Sequence, residues 1–261
     1  CAICRINCNE SVELARLIFD FGKRVAEEDG VPGWSKLAII AHHDCLGDLI
    51  TLSPLLFNQH IPVFYIRELG VIDDATVASI QGGDFTDLIA LGVDEHIPDT
   101  FLAACAERGV KSERLIGKNP YDANEKINDL ITSGQVEGAR LTIDNLIVSS
   151  VWNPADAFAA GAWAAKTDSA FLLEDPQNLD SVAHAISYIK KKGGSVKHLT
   201  FLGDSSQFGR LDKEMLGKAV QEALVDAGLA DTGAEDAQPA ETESTDFTST
   251  DAASANTQEN E

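Results

Sequence analysis

The sequence predicts an α/β protein made of tandem Rossmann-like repeats, with short parallel sheets flanked by helices. Three observations predict this class. Short apolar runs alternate with helical segments along most of the 261 residues. The runs are continuous rather than alternating, which is typical of strands buried in a parallel sheet. The same order of strands and helices then occurs a second time, which indicates a duplication.

The first half opens with an amphipathic helix, SVELARLIFDFGKRVAEE, from residue 11. Three apolar runs follow, and each precedes a helical segment. The predicted strands are 37–42 (LAIIAH), 62–66 (PVFYI) and 87–92 (DLIALG), and the predicted helices are 45–58, 73–81 and 97–109. This half is therefore an α-β-α-β-α-β unit.

The second half repeats that order after a helix that begins near residue 121 (YDANEKINDLITSG). Its predicted strands are 145–151, 170–175 and 198–203. Landmarks keep nearly one period, since Asp48 matches Asp156 after 108 residues and Arg5-Ile6 matches Arg114-Leu115 after 109. A period of this length indicates duplicated domains rather than a solenoid. We predict that copy one spans residues 1–112 and copy two spans residues 113–228.

Residues 229–261 are predicted to form a disordered acidic tail, because they contain one Phe and little else that could form a core. The whole chain carries 42 acidic and 20 basic residues, a net charge of -22. Phosphate affinity depends on Lys and Arg, so this balance argues against a nucleic-acid partner. No apolar run approaches the roughly 20 residues of a membrane span.

The chain begins at Cys1, which we interpret as the start of a processed product whose targeting segment is absent. Its five cysteines are an odd number and lack the spacing of a disulfide framework or a zinc site. We interpret them as inert thiols.

A carboxylate stands at the start of a helix in both copies, Asp48 in one and Asp156 in the other. Asn153 is a good N-cap and Pro154 suits the first helical position, so capping alone explains much of Asp156. Such turns also lie at the carboxyl ends of parallel strands, where open α/β sheets bind ligands. Capping and ligand binding both remain open for these two residues.

The helix that follows Asp156, AFAAGAWAAK, consists mostly of small residues. Ala and Gly let a helix approach its neighbours closely, and Phe158 and Trp163 are five residues apart, so they cannot share one stripe. We predict that this helix is sandwiched between layers, with both aromatic side chains packed.

Motifs for catalysis or cofactor binding are missing: there is no G-x-G-x-x-G, P-loop, G-x-S-x-G or H-E-x-x-H. His42-His43-Asp44 resembles a metal site, but adjacent strand residues point to opposite faces. We therefore predict no metal, no cofactor and no catalytic residue. The alternative is a Rossmann-like enzyme or binder of a sugar or other small molecule, with Asp48 or Asp156 as its acid or base.

Three segments, in order, resemble the blocks of the cell wall binding repeat 2 family. They are ERLIGKNPYDANEKI (113–127), LIVSSVWNPADAFAAGAWAAKTDSAFLL (146–173) and VKHLTFLGDSSQFGRLDKEML (196–216). The match covers residues 113 to 225, and residues 5 to 110 look like a more divergent copy.

The resemblance implies noncovalent attachment to the wall of Gram-positive bacteria through an anionic wall polymer, and a surface or secreted location. The family's Ile-Leu-Leu motif falls on Phe171, Leu172 and Leu173, with a looser match at 63–65. Its opening motif falls on Arg114, Gly117, Asn119 and Tyr121, and its helix-start Asp falls on Asp156, with Asp48 as the counterpart in copy one.

Members of this family usually carry three repeats in a pseudo-threefold assembly, fused to a separate functional domain. Only two repeats are visible here, so the resemblance implies a third unit from a missing segment, from self-association or from another chain. A pair of repeats that only scaffolds a partner protein is a further alternative.

Overall fold

A computed structural model describes residues 5–134, 141–203 and 206–230 of the chain. Within these ranges the fold is α/β, with short parallel sheets flanked by helices, as predicted. The helices are α1 (Ser11–Asp29), α2 (Leu46–Gln59), α3 (Asp74–Gly82), α4 (Asp99–Glu107), α5 (Pro120–Thr132), α6 (Pro154–Lys166), α7 (Leu179–Lys191) and α8 (Arg210–Asp226). The strands are β1 (Leu37–His42), β2 (Val63–Ile66), β3 (Asp87–Leu91), β4 (Lys111–Leu115), β5 (Thr142–Ser150), β6 (Ser169–Glu174) and β7 (His198–Leu202). Cys1, Cys4 and residues 231–261 of the predicted tail lie outside the described residues.

Three strands of the first sheet have the same order as the three strands of the second, and β4 extends the first sheet. The first sheet runs β2-β1-β3-β4 and the second runs β6-β5-β7, and every strand pair is parallel. In the first sheet Ile39 of β1 lies opposite Val63 and Ile89. In the second sheet Ile147 of β5 lies between Phe171 and Thr200. The predicted duplication therefore corresponds to two βα layers with one topology.

Strand β4 is the element that the sequence did not predict. Its residues alternate in exposure and are mostly polar, so they form no apolar run. Docking against β3, with Arg114 opposite Ala90, is what makes this segment a strand. The predicted boundary between residues 112 and 113 falls inside β4. This strand therefore belongs partly to each predicted copy, although it pairs with the sheet of copy one. The boundary stays a prediction.

Asparagine caps start the helices of the second half. The side-chain oxygen of Asn119 accepts a hydrogen bond from the backbone N–H of Asp122 at 2.9 Å. Asn153 caps α6 by accepting from Ala155 at 3.2 Å, and Asn178 caps α7 by accepting from Asp180 at 3.0 Å. These caps occupy N–H groups that the first turn of a helix cannot satisfy itself. The predicted capping role of Asn153 is confirmed.

The halves meet where α2 of the first half packs on α6, α5 and β6 of the second; we call this contact the seam. Its centre is Gly161 of α6, where an added Cβ would lie 2.1 Å from Ser53 Oγ of α2. Ala157, Ala160 and Ala164 form a buried cluster with Ile50 of α2. Small side chains therefore let the two helices approach closely, as the Ala-rich sequence predicted.

The prediction that both aromatic residues of α6 are packed is wrong. Phe158 is 55% exposed and Trp163 is 52% exposed. The fully buried residues of the helix are small ones, including Ala157, Ala160 and Ala164, and both rings are only about half buried. No helix of the described ranges has the length and apolar character that crossing a bilayer requires.

Candidate functional site

A small pocket lies in the second half between α5, β6 and α7, and we call it the α5–α7 pocket. Its lining residues are Tyr121, Asn124, Glu125, Leu172, Leu173, Ser181, His184 and Ala185. Three of these, Tyr121, Leu172 and Leu173, belong to the residues that the resemblance implies for polymer binding. Its volume of about 10 Å³ has room for roughly one water molecule, so a larger ligand would have to contact its rim rather than enter it.

Hydrogen bonds hold the polar rim of the α5–α7 pocket. Tyr121 Oη accepts from Asn178 Nδ2 at 2.9 Å, which ties the start of α5 to the start of α7. Glu125 Oε1 lies 3.2 Å from His184 Nδ1, and the rings of Tyr121 and His184 are 5.9 Å apart. The tyrosine, carboxylate and imidazole together offer donors and acceptors suited to sugar hydroxyls.

The three residues matched to the Ile-Leu-Leu motif differ in burial. Phe171 is 0% exposed and packs in the cluster at the seam, while Leu172 packs with the core of the second sheet. Leu173 is partly buried. Of the three residues, Leu173 is the one that could contact a polymer directly, at the rim of the pocket. Phe171 is fully buried, so its effect on binding would come through the position of β6. Their part in polymer binding stays a prediction.

A buried polar chain, not found by sequence reasoning, crosses the seam beside Phe171. Asn128 of α5 donates from Nδ2 to the carbonyl oxygen of Phe171 at 2.7 Å and accepts from its N–H at 3.2 Å. Asn124 Nδ2 donates to Thr51 Oγ1 of α2 at 2.7 Å. The amide of Asn128 therefore satisfies the outer edge of β6 in place of a neighbouring strand. Lone Asn residues on an amphipathic helix gave no signal of this role.

The guanidinium of Arg114 is hydrogen-bonded within the chain. It donates to the carbonyl oxygens of Gly92 and Ile97, the second at 2.6 Å, and pairs with Asp99. These bonds hold the loop between β3 and α4. Arg114 also lines an open cleft of about 370 Å³ between β4 and α5, together with Lys126. Polymer binding by Arg114 stays a prediction, and the observed contacts make it a positioning residue.

Gly117 and Asn119 shape the turn from β4 into α5. An added Cβ on Gly117 would lie 2.2 Å from the backbone nitrogen of Ala123, so this turn excludes any larger residue. Asn119 caps α5 as described above. Both residues of the opening motif therefore have a structural role that is visible in the chain itself, and the proposed polymer contact of Asn119 is untested.

Asp48 and Asp156 occupy equivalent positions in the first turns of α2 and α6. Asp156 accepts a hydrogen bond from Asn153 Nδ2 at 2.7 Å. Burial raises the pKa of Asp48 to about 6. The two carboxyl groups therefore share a place in the fold but differ in environment, and polymer binding by either one stays a prediction.

Glu174 at the end of β6 is a titratable residue that the sequence gave no reason to select. It is 0% exposed, and both carboxyl oxygens lack a hydrogen-bond partner among the described residues. Burial, followed by the nearby charges of Asp212 and Asp175, raises its pKa to about 7. Perturbed carboxyl groups at the carboxyl edge of a parallel sheet are found at functional sites and also at structural ones.

Two solved structures share this fold. The chain aligns with Cwp8 from Clostridium difficile at a TM-score of 0.58 and 17% identity, over 78% of this chain and 33% of that one. It aligns with Cwp6 from the same organism at a TM-score of 0.62 and 16% identity, over 80% of this chain and 30% of that one. The chain thus spans about a third of their length. No protein-family model matches the sequence, and no curated protein matches it.

Proposed function

We propose that the chain is a noncovalent cell-wall-binding module that anchors a surface or secreted protein by recognising an anionic wall polymer. The observation that supports the proposal is the α/β fold, over which 78% and 80% of the chain align with Cwp8 and Cwp6, both cell wall proteins. In this proposal residues 1–112 and 113–228 are the two repeats, and the chain itself is not an enzyme.

The α5–α7 pocket is the proposed contact with the polymer. Its rim brings Tyr121 and Leu173 next to Glu125 and His184, and in this proposal a sugar residue lies across these ring, apolar and hydrogen-bonding groups rather than inside the pocket. Lysines surround the same helix, but Lys126, Lys191 and Lys192 each pair with a carboxylate. We therefore expect hydroxyl and stacking contacts, rather than charge, to supply most of the binding energy.

Sedimentation with purified cell walls tests the proposal. The full chain is incubated with walls before and after chemical removal of their secondary polymers, and the bound fraction is measured in the pellet. We expect binding to intact walls that is lost on stripped walls. Equal pelleting with both preparations would reject polymer recognition.

A pair of variants locates the contact. Tyr121→Ala removes the ring and the hydroxyl at the pocket rim, and we expect it to weaken wall binding at least tenfold. Leu211→Ala removes an exposed apolar side chain from α8 and is the matched control, which should bind as the unaltered chain does. Circular dichroism checks that both variants fold. Equal binding by the two variants would place the contact elsewhere.

Asp48 favours a second candidate function, an enzyme or small-molecule binder that acts on sugars. Its carboxyl group lies beside the carboxyl edge of the first sheet, and burial raises its pKa to about 6, within the range of a general acid. Incubating released wall polymer with the full chain and assaying new reducing ends tests this candidate. Product formed by the unaltered chain and lost in Asp48→Asn would favour the enzyme, whereas no product would favour the binding module.

A further inference from the structure

We propose that His42, Asp44 and His96 form a binding site for a divalent transition-metal ion of the Zn²⁺ type. One ligand atom from each residue lies within 4.8 Å of the others. His42 ends β1, Asp44 lies in the 3-10 turn that follows, and His96 comes from the loop between β3 and α4. Two imidazole nitrogens and a carboxylate oxygen are ligands that Zn²⁺ accepts readily.

The hydrogen bonds of His42 make Nδ1 the nitrogen that would bind a metal, and the ion would have to displace the 3.3 Å hydrogen bond that Nδ1 accepts from Asp44. Nε2 lies 3.2 Å from the carbonyl oxygen of Arg67, which can only accept, so Nε2 carries the proton. Nδ1 accepts from the backbone N–H of Asp44 at 3.3 Å and lies 3.4 Å from Asp44 Oδ2. A metal-binding histidine commonly donates its other N–H to a backbone carbonyl in this way. With 1% of its surface exposed, His42 is held in this orientation by its surroundings.

His96 supplies the second nitrogen. Its ring stacks on His42 with centroids 4.2 Å apart, and its Nδ1 is buried with no hydrogen-bond partner among the described residues. A buried polar atom without a partner is costly, and a metal ion would satisfy it. The backbone of His96 is fixed at both ends, because its N–H donates to Val93 at 3.0 Å and its carbonyl accepts from Gly70 at 3.1 Å.

Small side-chain movements would complete the site. Donor atoms around a tetrahedral zinc ion lie roughly 3.3 Å apart, given bond lengths of about 2.0 to 2.2 Å. The Asp44 side chain is 62% exposed, and its carboxylate lies 3.1 Å from His43 Nε2 and 3.4 Å from His42 Nδ1, so it would have to leave His43 to complete the site. The rings of His42 and His96 are stacked at 16°, so the His96 ring would also have to rotate before its nitrogen lone pair could point at an ion bound by His42. Arg114 holds the loop that carries His96, through its bond to Gly92.

Sequence reasoning rejected a metal here because it considered His42 and His43 as the two ligands. The structure pairs His42 with His96, which lies 54 residues later in the chain. The equivalent residues of the second copy are Ser150 to Trp152, so this set of ligands belongs to the first copy alone. Cys45 lies nearby, but burial raises the pKa of its thiol to about 11, which disfavours the thiolate that a metal binds.

Titration calorimetry of the full chain with Zn²⁺ tests the proposal. Cys1, Cys4 and Cys8 are replaced by Ser in every sample, so that any heat measured cannot come from these thiols. We expect saturable binding of one ion per chain. Asp44→Asn and His96→Gln should each weaken this binding at least tenfold while unfolding at nearly the same temperature without metal, because Asp44 is exposed and His96 is only partly buried.

The matched control is His198→Gln, an exposed histidine on β7 in the other half of the molecule. It should bind Zn²⁺ as the parent chain does. Cobalt substitution gives a second readout, since Co²⁺ held by nitrogen and oxygen ligands shows visible absorption bands that His96→Gln should remove. Absence of saturable binding, or equal affinity in the His96→Gln and His198→Gln chains, would overturn the proposal.

Discussion

Glu174 shows how one buried carboxyl group links this fold to pH. Its pKa is about 7 in the folded chain, against 4.5 for an ordinary Glu, chiefly because of burial. Below pH 4.5 the group is protonated in both folded and unfolded chains and has no effect. As the pH rises from about 4.5 to about 7, the unfolded chain loses the proton first, so the folded state loses about 3 kcal/mol of stability.

We therefore predict that Glu174→Gln changes the dependence of stability on pH. The amide cannot ionise, so its free energy of unfolding relative to the unaltered chain should rise by up to about 3 kcal/mol between pH 4.5 and pH 8. Urea unfolding at several pH values measures this change. Glu107→Gln, at an exposed position in α4, is the control. Parallel pH profiles for the Glu174→Gln chain and the unaltered chain would contradict the account.

Residue-scale features divide into those that local sequence determines and those that it does not. Asn153 followed by Pro154 specifies a helix start whatever the rest of the fold does, and the structure confirms that cap. The burial of Glu174 depends on α8, whose Asp212 is distant in sequence. His96 is likewise placed against His42 by strand order alone. Only the folded chain reveals such environments.

At the scale of elements, the α2–α6 contact depends on the absence of a side chain at Gly161. An added Cβ would lie 2.1 Å from Ser53 Oγ, which donates a hydrogen bond to the carbonyl oxygen of Ile50 at 2.6 Å. Relieving the clash requires Ser53 to turn and lose that bond. We predict that Gly161→Ala lowers the free energy of unfolding by about 1 to 2 kcal/mol.

Two further variants isolate the clash. Gly217→Ala in α8 meets no atom within 4 Å, so better helix propensity should leave it neutral or more stable by up to about 1 kcal/mol. Ser53→Ala removes the obstructing oxygen, and in that background Gly161→Ala should cost much less. Chemical unfolding of the unaltered chain, the Gly161→Ala and Ser53→Ala chains and the double variant completes a double-mutant cycle. An equal cost of Gly161→Ala with Ser53 or Ala at position 53 would refute the proposed clash.

At the edge of β6, the side-chain amide of Asn128 makes the hydrogen bonds to Phe171 that a neighbouring strand would otherwise make. We predict that Asn128→Ala lowers the free energy of unfolding by about 2 to 4 kcal/mol, because the N–H and C=O of buried Phe171 lose their partner. Asn58→Ala is the control: it removes an exposed seam bond to Asp168 and should cost less than about 1 kcal/mol. Similar losses in both variants would show that the edge is satisfied another way.

Apolar continuity explains which elements the sequence could predict. Strand β1 is buried along its whole length and was predicted with its observed bounds. Strand β4 reads KSERL and becomes a strand only through pairing with β3, so periodicity could not find it. The same limit applies to the site: Tyr121 and Leu173 were selected by resemblance, but their meeting at one pocket depends on how α5 and α7 pack on β6.

At the scale of the whole molecule, three large aromatic side chains at and just before α6 are exposed. More than half of each side chain is exposed: Trp152 lies two residues before α6, and Phe158 and Trp163 lie within it. Among the described strands, β7 pairs with β5 alone, whereas its counterpart β3 also pairs with β4. A third repeat, from self-association or another chain, would cover such features, as the resemblance implies.

We predict that the full chain associates with itself as its concentration rises, and that Trp163→Glu shifts the chain toward the monomer. The Glu carboxylate in place of the ring would have to be buried between the two associating chains, which costs free energy. Sedimentation velocity from micromolar to millimolar concentration measures the shift. Lys166→Glu, on the exposed end of the same helix, is the control for added negative charge. A chain that stays monomeric throughout this range would contradict self-association.

Wall binding is the central claim, and competition by soluble polymer tests it most directly. Secondary polymer released from purified walls is added to the full chain bound to intact walls, and the chain left in the pellet is measured against polymer concentration. We predict saturable release by this polymer and no release by stripped peptidoglycan fragments. Retention of the chain at every polymer concentration would contradict the account.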